Sequence, residues 1–196
     1  MNLTTTLQTL LASDPACMRV LAQVRDLALP DCWVGAGFVR NRVWDHLHGR
    51  VPSALEGDID VIWFDAGRGA TQERDLALEH RLRDQDSTQG WSVKNQARMH
   101  HRNGDAPYLS ATDAMRYWPE TATAVAVRLD QHGAMEVAAP FGLGDLFDLL
   151  VRPTPRFTGE KYPVYLERQR AKQWEATWPR LTICRTAGSA ADTPPG

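Results

Sequence analysis

Asp58 and Asp60 stand two residues apart at the head of an apolar run, Ile59 to Phe64, and paired carboxylates in that setting can hold a divalent cation. Side chains alternate in direction along a strand, so residues i and i+2 share a face. Two like charges that close repel, and aspartate is a poor strand former, so the placement costs stability unless something offsets it. A hard cation between two carboxylates offsets it, and Mg²⁺, or Mn²⁺ in its place, suits those oxygen ligands. The other reading of the pair is a strand end that dips into solvent. Upstream, Gly35-Ala36-Gly37 follows the short apolar stretch Cys32-Trp33-Val34 and precedes a helical pattern. Glycines there let backbone pass close to a phosphate, and the exposed amides of a helix start favour the anion. A dinucleotide-binding fingerprint is excluded. Its third glycine falls on Arg40, and the next strand carries two acids at its start rather than one at its end.

Local charge follows the same division. Residues 56–86 hold nine acids against four arginines, whereas Trp91 to Gly104 holds none, but has Lys94, Arg98 and Arg102 with His100 and His101. An acidic strand followed by a basic segment suits a metal–polyphosphate site better than a nucleic-acid groove. Lys94 and Arg98 read either as a triphosphate clamp or as ion-pair partners of the acidic helix before them. Arg40, Asn41 and Arg42 read either as phosphate or base contacts or as a solvated helix face. His100 and His101 match no zinc spacing. Trp44, Trp63 and Trp91 read as core, with stacking on a base as the other use. Glu120 reads as a cap or an ion-pair partner. Residues 150–180 carry seven basic side chains against three acids, a solvated face or a seat for a negatively charged acceptor.

The elements that must position these residues alternate early and pair late. Asp14-Pro15 starts a helix that closes between Leu27 and Pro30. Cys32 to Val34 is a strand, Phe38 to His48 a helix with Val39, Val43, Trp44 and Leu47 on one stripe, and Ile59 to Phe64 a strand. Residues 71–86 form a polar helix, Trp91 to Gln96 a third strand, Met99 to Tyr108 a loop with an Asn103-Gly104 turn, and Thr112 to Trp118 a short helix. Thr121 to Leu129 and Ala134 to Ala139 flank Asp130-Gln131-His132-Gly133 as a hairpin. Leu143, Leu146, Phe147 and Leu150 mark a helix, and a last one runs from about Pro163 to Thr177. This order predicts a mixed α/β or α+β sheet rather than an all-parallel one.

At this point the sequence resembles a known group. Val34-Gly35-Ala36-Gly37 followed by Asp58-Ile59-Asp60-Val61 is similar to the glycine-turn and DxD signature of the polymerase-beta-like nucleotidyltransferase superfamily. The stretches 37–45, 91–100, 118–123 and 139–143 resemble a bacterial family of that superfamily described only as nucleotidyltransferase family proteins, and the resemblance spans roughly residues 15–180. It implies a small mixed β-sheet flanked by helices. It also implies a two-metal transfer of a nucleoside monophosphate from an NTP donor to an acceptor that the sequence does not name. By resemblance, Asp58 and Asp60 hold the metal, Gly35 and Gly37 admit the β- and γ-phosphates, and a third carboxylate on a neighbouring strand completes the site. The strand Trp91 to Gln96 offers only Ser92, Lys94 and Asn95 for that acid, so Glu136, between Met135 and Val137, is the expected third ligand. Without it the chain reads as a catalytically lapsed nucleotide- or metal-binding module on the same fold. A phosphohydrolase using the same aspartates is a further reading.

Bulk properties set the frame. With 196 residues, 43% hydrophobic and 23% charged, the chain suits one domain over residues 1–184 with a small, polar, proline-rich tail from 185 to 196 expected to be disordered. A net charge of −2 gives no support for broad electrostatic binding to nucleic acid, though a tRNA-type acceptor stays open. Cys17, Cys32 and Cys184 form no CxxC pair, so neither a disulfide framework nor a zinc knuckle is indicated. The first residues lack the basic and apolar regions of a signal peptide, and no run approaches the ~20 apolar residues of a membrane span. A cytoplasmic location, with no membrane partner, is therefore expected.

Overall fold

Alternation along Asp58-Ile59-Asp60-Val61-Ile62-Trp63 builds β2, which sends Ile59, Val61 and Trp63 into the main core and holds Asp58 exposed at its start. The computed structural model describes residues 2–51, 57–67 and 69–185. Around β2 stand β1 (Trp33–Gly35), β3 (Gly90–Asn95), β4 (Ala126–Leu129) and β5 (Met135–Ala138), in the sheet order β3-β2-β1-β4-β5. Within this sheet β2 and β3 are the parallel pair, with the helix α4 (Gln72–Gln85) in the crossover that such a pair requires. β1 is antiparallel to β2 and β4, and β4–β5 is the expected hairpin.

The sheet has two unlike faces. Val34, Ile59, Val61, Trp63, Trp91, Val93 and Val127 join Leu7, Leu11, Leu21, Val24, Val39, Val43 and Trp44 in the larger core. Those partners come from α1 (Leu3–Ala12), α2 (Pro15–Arg25) and α3 (Gly37–Leu47). The opposite face holds Trp33, Ile62, Ala126 and Ala138, covered by Ala111 of α6 (Ala111–Ala114) and Met115 of the 3₁₀ turn after it. Asp60, Gly35, Ala126 and Ala138 are successive cross-strand partners, so Asp60 belongs to this second face.

Several elements depart from the expectations. The stretch from Met99 is not loop: α5 runs Gln96–Asn103, capped by the Asn95 side chain on the Ala97 amide. Asn103-Gly104 ends that helix, with Gly104 left-handed (φ 63°), instead of making a free-standing turn. The helix expected from Leu143 to Leu150 is one turn, α7 (Gly144–Phe147); Leu149 at φ 57° redirects the chain into β6 (Leu150–Val151), which pairs with β7 (Thr182–Ile183). The last helix is two, α8 (Tyr162–Lys172) and α9 (Trp174–Thr177), broken where Gln173 adopts φ 46°. The break turns Trp174 and Trp178 in against Trp44, with ring centroids 5.5 and 5.1 Å away. α1 carried no strong sequence signal, its first turn being three threonines. The tail from residue 186 lies outside the described residues. Cys17, Cys32 and Cys184 are free thiols, and among the described residues no helix is long and apolar enough to cross a membrane.

Candidate functional site

The strand-turn-helix unit at residues 33–47 and the acidic strand meet in register. Gly35, the last residue of β1, lies directly across from Asp60. A Cβ at Gly35 would come within 3.1 Å of both the Trp118 indole and the Val125 carbonyl, so this glycine is needed for close packing as well as for the turn. Ala36 then takes φ 54°, an uncommon backbone for a residue with a side chain. It is held there by its N–H, which donates to the Val125 carbonyl at 3.0 Å, and by its carbonyl, which accepts the Arg40 N–H at 2.9 Å. Strain of this kind persists only where the surroundings enforce it, and it gathers at sites. α3 begins at Gly37 with no side chain capping its first turn. The start of this helix, Asp60 and the start of β4 therefore share one end of the sheet. Asp58 sits beside them, and a Cβ on Gly90 would lie 3.0 Å from its Oδ1, so the neighbouring strand leaves room for this carboxylate.

The aspartates lie among cations without pairing to them. Neither carboxylate forms a salt bridge or hydrogen bond with another described residue. Burial, and next the charge of Asp58, raise the Asp60 carboxyl above its ordinary value, against the opposing pull of Arg40, Arg168 and Lys172. Arg40 is buried at 6% exposure, its guanidinium 4.2 Å from the Trp174 ring centroid and 5.0 Å from that of Trp44. Nη1 donates to Thr123 Oγ1 at 3.1 Å, and Nε and Nη2 donate to Asn41 Oδ1. Desolvation pushes its pKa down to about 10, with Glu120 and Asp60 pulling upward. Glu120 is fully buried, and its Oε1 accepts from Arg168 Nε at 2.7 Å and from Gln169 Nε2 at 2.8 Å.

The structure brings Asp58, Asp60, Gly35, Gly37 and Arg40 to one place and sends the other expected residues elsewhere. Glu136 sits on β5, three strands from β2, a separation of ~14 Å at the usual strand spacing. It is half exposed and ion-paired with Arg128 across the hairpin, lining a separate cleft with Leu29 and Cys32. Among the described residues no cluster of three or more His, Cys, Asp or Glu side chains could hold a metal. Ser92 is the β3 residue opposite Asp60, where an acid on the adjoining strand would stand. Lys94 pairs with Glu79 at 2.8 Å, and Arg98 pairs with buried Asp75, so the first fastens α4 to β3 and the second fastens it to α5. Trp44, Trp63 and Trp91 are core, at 0%, 0% and 5% exposure. Arg168 and Lys172 on α8 were legible only as part of a basic stretch; their four-residue spacing places them on one helix face.

Comparison with known proteins bears on the family and the fold. A family profile described as nucleotidyltransferase matches residues 22–183. No curated protein matches the chain in sequence. A solved NMR structure described as revealing a CCA-adding enzyme head domain is 37% identical, with a TM-score of 0.82, over 92% of this chain and 95% of that one. The Thermotoga maritima CCA-adding enzyme complexed with tRNA is 17% identical with a TM-score of 0.56, and a CCA-adding enzyme in complex with ATP is 16% identical with a TM-score of 0.54. The chain covers 42% and 43% of those two proteins, and at such identities the likeness is one of fold. With five sheet strands in mixed pairing, a glycine turn in register with a DxD strand, and a family match over most of its length, the chain belongs to the nucleotidyltransferase family.

Proposed function

We propose that this chain is a Mg²⁺-dependent nucleotidyltransferase that moves a nucleoside monophosphate from an NTP to an acceptor hydroxyl. The observation that carries the reading is the pairing of Gly35 with Asp60, which sets two carboxylates with no ion pair among the described residues beside an uncapped helix start. The donor set fits the metal: two hard oxygen ligands on one strand face, with substrate phosphate oxygens and water to complete the shell. When bound, Mg²⁺ supplies charge neutralisation and orientation of the phosphates. The chain's own part is positional. The Gly37 and Phe38 amides at the head of α3 offer donors to phosphate oxygens. Asp58 and Asp60 fix where the α-phosphate lies, and Arg40, locked between indoles, keeps positive charge beside them. In the transfer the acceptor oxygen bonds the α-phosphorus while the bond to the bridging oxygen breaks. The electron pair leaves on pyrophosphate, and the acceptor proton passes to solvent. Catalysis of this class rests on placement and electrostatics rather than on covalent steps.

The likeness to a CCA-adding enzyme head domain makes an RNA 3′-hydroxyl the first acceptor to test. Calorimetric titration of ATP, GTP, CTP and UTP with Mg²⁺ is the first experiment, on the wild type and on Asp58→Asn/Asp60→Asn. Binding of a nucleotide that the double variant loses supports the site; equal binding in both overturns the metal assignment. A lapsed, nucleotide-binding module is the second reading, favoured by Ser92 opposite Asp60 and by Glu136 standing apart. It predicts nucleotide binding without release of pyrophosphate in the presence of any acceptor.

A further inference from the structure

We infer that α8 supplies the pyrophosphate half of the substrate site, with Arg168 and Lys172 as the groups that contact the leaving phosphates. This rests on the nucleotidyltransferase reading above. Four observations carry it. First, Arg168 is aimed rather than loose: Glu120, with no exposure, takes only the Nε edge of the guanidinium at 2.7 Å, and the side chain stays 32% exposed. An arginine held by one edge presents its remaining fork to an anion. Second, Arg40 and Arg168 approach the same indole, their guanidinium carbons 4.2 and 5.7 Å from the Trp174 ring centroid. Two like charges this close are costly unless anions offset them, and buried Glu120, which bonds Arg168 and draws on Arg40, supplies one negative charge against the two. Third, Lys172 follows one turn after Arg168 on the same helix face, exposed and without a salt bridge or hydrogen bond to another described residue. Fourth, the cations expected from the sequence are already engaged, Arg40 by Thr123, Asn41 and two indoles, Lys94 by Glu79 and Arg98 by Asp75.

The helix is a fixed arm for this task. Asp105, at the end of α5, accepts from Arg156 Nε at 2.7 Å and Lys161 Nζ at 3.0 Å just ahead of α8. The Tyr165 hydroxyl lies 3.1 and 2.9 Å from the carbonyls of Val151 and Cys184. Glu120 acts through Arg168 and is a positioning residue.

The test is calorimetric titration with inorganic pyrophosphate plus Mg²⁺, and in parallel with the best-bound NTP and its monophosphate, on wild type, Lys172→Gln, Arg168→Gln and Arg168→Lys. Lys172→Gln alters an exposed side chain and keeps the comparison independent of folding. The expected result is about tenfold weaker binding of pyrophosphate and NTP in each Gln variant, the loss of one charge-assisted contact. Monophosphate affinity stays unchanged, and Arg168→Lys recovers part of the loss. Equal pyrophosphate affinity in wild type and Lys172→Gln overturns the assignment to α8 while NTP binding leaves the parent reading intact. Equal loss of monophosphate binding also overturns it. A wild type that binds neither NTP nor pyrophosphate overturns both.

Discussion

Asp60 illustrates how a candidate site residue works against the fold that carries it. Its carboxyl is raised by burial and by Asp58, so the folded chain holds that proton to higher pH than the unfolded chain does. The destabilisation is absent below the ordinary value of 3.8 and develops as pH rises through the folded value. In chelator at pH 7, Asp60→Asn is expected to raise the melting temperature by about 2–4 °C, the shift of roughly 1 kcal/mol in a chain of this size. The gain should vanish at pH 3.5, which thermal melts at the two pH values check. The paired aspartates and the glycine turn were legible in sequence because i, i+2 spacing and turn chemistry are local. Glu136 was not, because an acid between two apolar residues has the same local pattern whichever strand its hairpin joins. Lys94 and Arg98 were open to two readings, and their pairing with α4 depends on where a helix 15 and 23 residues away packs.

Elements were read well where one strong period ran their length and poorly where a single residue in the left-handed region divided them. β2 and α3 fall within a residue of their expected spans. The β4–β5 hairpin forms where expected, though its first strand starts at Ala126 rather than Thr121 because the backbone amides of Thr123 and Ala124 turn back onto the Glu120 carbonyl. Gln173 and Leu149, neither of them glycine, broke patterns that periodicity alone would continue. The anchoring of α8 is likewise a matter of contact. Burial raises the Asp105 carboxyl, but hydrogen bonds from Arg156, Lys161 and Tyr108 hold it below its ordinary value. Such a group stabilises the fold above the unfolded value of 3.8, and that contribution is lost as pH falls through the folded value. Asp105→Ala is expected to cost about 2 kcal/mol at pH 7, in line with the loss of charge-assisted hydrogen bonds. Urea unfolding at pH 7 and pH 3 checks this, and the difference between wild type and variant should shrink at the lower pH.

At the scale of the whole molecule, one indole couples the C-terminal helices to the site. Trp174 packs edge-on against Trp44 and carries the Arg40 guanidinium, so the last helices hold a charge beside the aspartates. Trp174→Ala is expected to destabilise the chain by about 3–5 kcal/mol, as loss of a large buried aromatic does. It should also weaken nucleotide binding under conditions where the variant remains folded. Denaturant unfolding gives the first quantity and calorimetry the second. The sequence by itself determined the DxD strand, the glycine turn before a helix, the mixed sheet and the family, because strand period, turn chemistry and motif order are properties of neighbouring residues. Only the tertiary structure decided which charges face the aspartates. Arg168 stands 108 positions after Asp60 in the sequence, and it meets buried Glu120 only because α8 packs where Arg168 and Gln169 reach that carboxylate. Electrostatic partnership falls off with distance in space, and sequence separation does not encode that distance.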